Sequence, residues 1–229
     1  MGNYRRVTHV LFDLDGLILD SEKVYKKIFG SVIESFGKKY IDEVRLAVLG
    51  TREGDVAKII VDRLQLPISP EEFAKLAKIE YKKYLSSVEL KPGAEKLIKH
   101  FYNNNVPLAL ATSSSKESFE IKTANYSSLL SNFHHVVKGA EVANGKPAPD
   151  IFLQAAKRFP NNTPKPEECL VFEDAPNGVK AALAAGMQVV MVPEDYLPKE
   201  STQGATLVLK SLLDFKPEEF GLPPFPEQQ

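Results

Sequence analysis

The sequence predicts an α/β protein: a Rossmann-like core of parallel strands carrying an inserted helical domain. Three observations predict it. Beyond Pro92-Gly93, short apolar runs rich in β-branched residues alternate with helical stretches, the pattern of parallel strands joined by right-handed helical crossovers. An isolated run of the same strand-like kind, Val7 to Leu14, stands far upstream. Between roughly 20 and 88 the chain is charged, helical in spacing and without a convincing strand. Residues 1–19 and 89–229 are therefore expected to form one core, and 20–88 a separate helical domain within it.

The elements follow in order. Val7 to Leu14 reads as a buried strand ending in Asp13-Leu14-Asp15-Gly16, where glycine permits a sharp turn. Asp20 or Ser21 is expected to cap the first helix, whose apolar residues Val24, Ile28, Val32, Ile33 and Phe36 keep helical spacing. Ile41 to Val48, Asp55 to Leu64 and Pro70 to Leu85 continue the helical block. Ala94 to Tyr102, Pro149 to Phe159 and Asn177 to Ala185 read as helices, the last stopped by Gly186, and Phe119 to Leu130 reads as mostly helical. Val106 to Ala111, His134 to Val137, Cys169 to Phe172, Val189 to Val192 and Leu207 to Leu209 read as strands. The proline-rich Leu222-Pro223-Pro224-Phe225-Pro226 is expected to be extended.

Composition narrows the function. The 229 residues are 43% hydrophobic, enough for a sizeable core. Lys and Arg total 29 against 30 Asp and Glu, a formal net charge of -1, with none of the basic excess of a nucleic-acid binder. The single cysteine, Cys169, excludes an intrachain disulfide and reads as a small buried hydrophobe. No apolar stretch approaches a membrane span, and Met1 to Thr8 does not read as a signal peptide. The expectation is a monomeric cytoplasmic protein with a small-molecule ligand. His9, His100, His134 and His135 lack metal-ligand spacing and are expected to have ordinary roles.

Four polar sets fall at or near the ends of different βα units, where ligands bind in an open parallel sheet. Asp13 and Asp15, two residues apart, leave the first strand facing similar directions, so one could attack phosphorus while the other handles a proton. Thr112, with Ser113 and Ser114, offers hydroxyl and backbone N–H groups suited to phosphate, or simply to helix capping. Lys146 sits among turn formers before a helix and could reach a pocket as a point charge. Glu173 and Asp174 end another strand and, with Asp13, supply hard oxygen ligands suited to Mg²⁺.

In these four elements, in order and spacing, the chain resembles the haloacid dehalogenase superfamily, and the likeness covers essentially the whole chain. The helical block looks like the family's cap. A narrower likeness, to nucleotide phosphatases within the superfamily, runs through Phe12–Leu17, Leu90–Ile98, Leu110–Ser114 and Cys169–Val179. The resemblance implies a Mg²⁺-dependent phosphomonoesterase acting on a small phosphorylated metabolite through an aspartyl-phosphate. It implies Asp13 as nucleophile and metal ligand, and Asp15 as acid and base with its backbone carbonyl on the metal. Thr112, Ser113 and Lys146 would hold phosphate; Asp174 would bind metal, with Glu173 binding directly or through water. In related capped enzymes the stretch Gly50-Thr51-Arg52-Glu53 faces the active site, so Arg52 is expected to contact phosphate or substrate.

Two other readings compete. Sugar-phosphate phosphatases and β-phosphoglucomutase-like mutases share this core and cap, but the mutases carry a cap histidine ten residues after the second motif aspartate, where this chain has Tyr25. A non-catalytic metabolite-binding regulatory protein would be signalled by loss of a motif residue, and all four motifs are filled.

Overall fold

The computed structural model describes residues 4–160 and 163–226, so Met1 to Asn3 of the amino-terminal segment lie outside the described residues. β1 (His9–Phe12) is followed by α1 (Ser21–Glu34), α2 (Asp42–Val48), α3 (Glu53–Leu64) and α4 (Pro70–Tyr84). Then come α5 (Ala94–Asn103), β2 (Leu108–Thr112), α6 (Lys116–Thr123), α7 (Ser127–Leu130), β3 (His135–Lys138) and α8 (Asp150–Lys157). β4 (Cys169–Glu173), α9 (Pro176–Ala184), β5 (Gln188–Met191) and β6 (Leu207–Val208) complete the order.

The strands form one parallel sheet in the order β3-β2-β1-β4-β5-β6, with Phe12 opposite Leu110 on one side and Phe172 on the other. Strand order runs one way from β1 through β2 to β3 and the other way from β4 onward. The crevice at the carboxyl ends of β1 and β4 is thus a topological switch point, where no crossover helix covers the strand ends.

Period-two alternation sends successive residues of each strand to opposite faces. Val10, Phe12, Leu108, Leu110, Leu170 and Phe172 join α5 and the inserted helices in one core. Leu11, Ala109, Ala111, Val171 and Val189 join α8 and α9 in the other. Phe12 stacks on Phe172 with centroids 4.8 Å apart, and Phe215 meets Phe172 edge-on at 4.8 Å. Each fully buried phenylalanine contributes roughly 1.5–3 kcal/mol of transfer free energy, so this cluster anchors the two strands that carry the site.

The helical insertion leaves and rejoins the core through two linkers lying side by side. Leu19 and Leu90 form an antiparallel bridge, Asp20 N donates to Glu89 O at 2.8 Å, and Lys91 N donates to Ile18 O at 2.8 Å.

The details depart from the sequence reading in three places. Strand β1 stops at Phe12, because Leu14 O accepts from the amides of Ile18 and Leu19 and folds the chain into a tight loop. Neither expected residue caps α1 through its side chain: Asp20 takes Lys23 at 2.5 Å, and the Ser21 hydroxyl accepts from Gly16 N at 3.1 Å. The stretch 119–130 is broken. Thr123 Oγ1 donates back to Phe119 O at 2.6 Å, a 3₁₀ turn follows over Ala124–Tyr126, and Tyr126 Oη then donates to Val88 O at 2.6 Å.

Beyond β6 the chain packs back on the core. His100 Nε2 donates to Pro223 O at 2.8 Å, and the Phe225 ring lies 4.3 Å from that of His100. Cys169 is fully buried, and burial pushes its thiol up to about 12, which leaves it an unreactive core residue. Among the described residues, no helix is long and apolar enough to cross a membrane.

Candidate active site

Asp13 follows β1 directly, its amide bonded to Phe172 O at 3.0 Å, so the ends of β1 and β4 are tied together before any side chain is considered. Glu173 closes β4 and Asp174 follows it. Lys146 enters from the turn ahead of α8. Its Nζ donates to Asp13 Oδ1 at 2.5 Å, to Glu173 Oε1 at 2.6 Å and to Ala111 O at 3.3 Å, which occupies its three donors. The other Glu173 oxygen accepts from the amides of Asp174 and Ala175 at 3.1 and 3.2 Å. Glu173 thus holds the lysine and the start of the β4–α9 turn. Gly178 backs it, since a Cβ there would collide with the Glu173 carboxylate.

Asp13, Glu173 and Asp174 offer carboxylate oxygens within 4.8 Å of one another, and all three residues are buried. Asp174 Oδ2 is buried without a hydrogen-bond partner among the described residues, while both Glu173 oxygens are engaged. A Cβ on Gly16 would occupy the space of that Asp174 oxygen, and its φ of 75° also requires glycine. Burial pushes the Asp13 carboxyl up to about 7; Lys146 opposes this, and Glu173 and Asp15 add to it. Burial, with Glu173 and Asp13 beside it, holds Asp174 well above the ordinary carboxyl range. Lys146 moves the other way: burial disfavours its charge, but Asp13 and Glu173 outweigh burial and raise its pKa. Four carboxylates, counting Asp15, face two ammonium groups, Lys146 and Lys122. An orphaned oxygen beside uncompensated negative charge suits a hard divalent cation, and the donor set fits Mg²⁺.

Asp15 stands at the mouth of the site. Lys122 donates to both of its oxygens at 2.5 Å, and Ser114 Oγ donates to Oδ2 at 2.6 Å. Burial would raise the Asp15 carboxyl, but the Lys122 ammonium and the hydrogen bonds from Lys122 and Ser114 hold it below the ordinary range. Thr112, fully buried at the end of β2, accepts from Ser114 N at 3.1 Å, and Ser113 Oγ donates to Gly50 O at 3.4 Å.

Above these groups lies a cavity of about 70 Å³ between core and insertion, lined by Asp13, Asp15, Ser113 and Ser114 from below and by Glu22, Tyr25, Phe29, Tyr40, Glu53 and Tyr81 from above. Burial, then the Asp15 and Glu194 carboxylates, push Glu22 up to about 7. Glu53 Oε2 accepts from Ser115 N at 3.0 Å and from Ser118 Oγ at 2.5 Å, clamping the insertion to the start of α6.

The structure thus brings Asp13, Asp15, Lys146, Glu173 and Asp174 together, with Thr112 and Ser113 at the next strand end. Arg52 is placed elsewhere: its Nη2 donates to Val142 O at 2.7 Å, and it does not line the cavity. Its neighbour Glu53 does. Lys122, which reading the sequence missed, and Ser114, expected there only beside Thr112 on the phosphate side, are polar partners of Asp15. One signal was available for the lysine: Ser118, Phe119, Lys122 and Thr123 share the buried stripe of α6, so Lys122 falls where helical spacing calls for an apolar residue.

Comparison with known proteins agrees with this geometry. The family model of haloacid dehalogenase-like hydrolases matches residues 10–192. A Drosophila melanogaster protein named "probable pseudouridine-5'-phosphatase" is 50% identical over 96% of each chain. An Arabidopsis thaliana protein named (DL)-glycerol-3-phosphatase 2 is 42% identical over 96% of this chain and 93% of its own. Among solved structures, a β-phosphoglucomutase from Clostridium difficile superposes with a TM-score of 0.75 at 24% identity, covering 93% of this chain and 94% of its own, a likeness of fold.

Proposed function

The chain belongs to the haloacid dehalogenase-like hydrolase family and is a phosphatase, and on that premise we propose that it hydrolyses pseudouridine 5'-phosphate to pseudouridine and phosphate. The reaction rests on one observation above the others: Asp13, Lys146 and Asp174 converge at the switch point with more carboxylate than ammonium charge. The substrate rests on the 50% identity to the Drosophila protein.

In this reading Asp13 attacks phosphorus. The Asp13–O–P bond forms as the bond to the leaving oxygen breaks, and Asp15, a carboxylate in the structure, takes up a proton as the phosphate monoester binds and passes it to that oxygen. Asp15, now a carboxylate, takes a proton from water as the water oxygen bonds to phosphorus and the Asp13–O–P bond breaks. Thr112 and Ser113 hold the phosphate oxygens, and Lys146 joins them by giving up its longest bond, the 3.3 Å one to Ala111 O. Asp13, Asp174 and the Asp15 backbone carbonyl would hold Mg²⁺, with Glu173 acting through Lys146. When bound, the ion offsets repulsion between the carboxylate nucleophile and the phosphate. Residues 20–88 act as a cap that closes over the crevice and excludes bulk water.

The cavity also bears on the leaving group. Aromatic walls with Glu22 and Glu53 favour a neutral group rich in N–H or O–H donors, such as a nucleoside or a polyol, over one carrying a second negative charge. Glycerol 3-phosphate is therefore the second substrate candidate, supported by the 42% identity to the Arabidopsis enzyme. A mutase is disfavoured by Tyr25, whose phenol is raised above its ordinary pKa by burial and the nearby Asp15 carboxylate and so stays protonated. Action on a free metabolite by a cytoplasmic monomer belongs to the same proposal.

The test is kcat/KM, with Mg²⁺ or EDTA, on pseudouridine 5'-phosphate, uridine 5'-phosphate and glycerol 3-phosphate. Preference for the first, lost in EDTA, is expected. Equal efficiency on the two nucleotides would overturn the substrate but leave the reaction class.

A further inference from the structure

Lys122 lies outside the four motifs, yet its side chain is completely buried while its ammonium reaches the site. It projects from the core helix α6 beneath the inserted helices. Its Nζ donates to Asp15 at 2.5 Å, to Ser114 Oγ at 2.5 Å and to Tyr25 Oη at 3.2 Å. An ammonium has three protons, and three partners surround this one. Ser114 Oγ in turn donates to Asp15 Oδ2 at 2.6 Å, so lysine, serine and aspartate close a ring of hydrogen bonds. A buried charge is tolerated only when paired and fully hydrogen-bonded, and such a network locks the rotamers of its members. Asp15 comes from the loop after β1 and Ser114 from the loop after β2, while Tyr25 belongs to the insertion. Lys122 is therefore where core and insertion jointly determine how the Asp15 carboxyl group points.

We propose that Lys122 is a positioning residue for the reaction: it fixes the Asp15 carboxyl group in line with the leaving oxygen, and Ser114 and Tyr25 fix Lys122 in turn. This rests on the reading of Asp15 as the group that protonates the leaving oxygen. Lys122 itself neither gains nor loses a proton. The bonds made and broken, and the proton passed through Asp15, are those described above. What the lysine supplies is geometry, and misplacing a reacting group by about 1 Å can cost on the order of 10²-fold in rate.

The experiment uses two leaving groups. Glycerol must be protonated as it departs, whereas p-nitrophenolate leaves without a proton. Wild type, Asp15→Asn, Lys122→Met and Lys122→Arg are compared on glycerol 3-phosphate and p-nitrophenyl phosphate, with Mg²⁺ present, as the ratio of the two kcat/KM values. Thermal unfolding of each variant is recorded alongside. Asp15→Asn is expected to lower the glycerol-to-nitrophenyl ratio at least about tenfold, Lys122→Met to follow it in direction, and Lys122→Arg to fall between Met and wild type. Equal losses on both substrates in the Lys122 variants, with the ratio still moved by Asp15→Asn, would mean that the lysine only supports the fold, and the proposal would be wrong. If Asp15→Asn leaves the ratio at its wild-type value, the acid assigned to Asp15 is wrong and the positioning role goes with it. Should Lys122→Met not fold, Lys122→Arg decides alone, because it keeps the charge and changes only the reach and shape of the donor group.

Discussion

Asp13 at the end of β1 and Glu173 at the end of β4 share one ammonium group: Lys146 Nζ lies 2.5 Å from the first and 2.6 Å from the second, and all three side chains are buried. Two like charges on adjacent strands are thereby held beside one another without repelling the strands apart.

Removing that ammonium leaves two carboxylates facing each other out of water. Lys146→Met is expected to lower kcat/KM by about 10²–10³-fold, the usual scale for losing one preorganised donor to a developing charge. It should also cost about 3–5 kcal/mol of stability without metal, as breaking a buried pair does. Steady-state kinetics and denaturant unfolding in EDTA read the two effects separately. A variant as stable as wild type would show that the bridge does not hold the strand ends.

The pH dependence of the metal-free protein has a definite sign. Asp13 stands at about 7 in the fold against an ordinary 3.8, and Glu22 at about 7 against 4.5. Between those values the folded chain holds more protons than the unfolded one. The contribution of these groups to stability is complete below about pH 4, declines as pH rises, and is lost above about pH 7. Mg²⁺ requires the ionised carboxylates, so its stabilising effect should grow through the same window. Thermal unfolding with Mg²⁺ or EDTA at about pH 5.5 and about pH 8 checks both trends, and an equal Mg²⁺ increment at the two pH values would contradict them.

Asp13→Asn separates chemistry from architecture. The amide cannot form the acyl-phosphate, so turnover should vanish, and intact-mass measurement should find no phosphorylated protein after substrate addition. The same change removes one of the crowded negative charges, and melting in EDTA at about pH 8 should be no lower than for wild type. Retained turnover would rule out the covalent route.

Glu53 joins the insertion to the core through Ser115 N and Ser118 Oγ. Glu53→Ala leaves that amide and hydroxyl without their carboxylate, at a cost of about 1–3 kcal/mol if they stay buried. Because the clamp lies in the cavity wall, KM should rise more than kcat falls. A change in melting temperature with KM intact would make the contact structural alone.

The packed tail offers a control far from the chemistry. His100→Ala removes the bond to Pro223 O and the ring against Phe225. A loss of about 1–2 kcal/mol, or roughly 2–8 °C in melting temperature, is expected with kcat unchanged. Lower activity per folded molecule would show that the tail reaches further than its contacts.

Reading the sequence succeeded where the signal is local. Val10-Leu11-Phe12, Leu108 to Ala111 and Leu170-Val171-Phe172 announce buried parallel strands because every residue in them faces one core or the other. The polar residues that follow each run stand out against them. Less legible was anything that depends on where a side chain ends. Arg52 and Glu53 are adjacent, and only packing decides that the glutamate lines the cavity while the arginine turns to Val142 O. The break at Ala124–Tyr126 likewise answers to a carbonyl at Val88, 38 residues earlier.

From its residue order alone this chain specified the α/β alternation, the strandless insertion and the acidic and hydroxyl groups at the strand ends, since hydrophobic period and turn chemistry act over a few neighbours. Tertiary structure decided which of those groups meet, that Glu173 serves Lys146 while an Asp174 oxygen has no hydrogen-bond partner among the described residues, and that a buried lysine from α6 holds Asp15. The reason is physical: a charge can remain buried only beside partners that folding delivers from distant segments, and local sequence does not record which partners those will be.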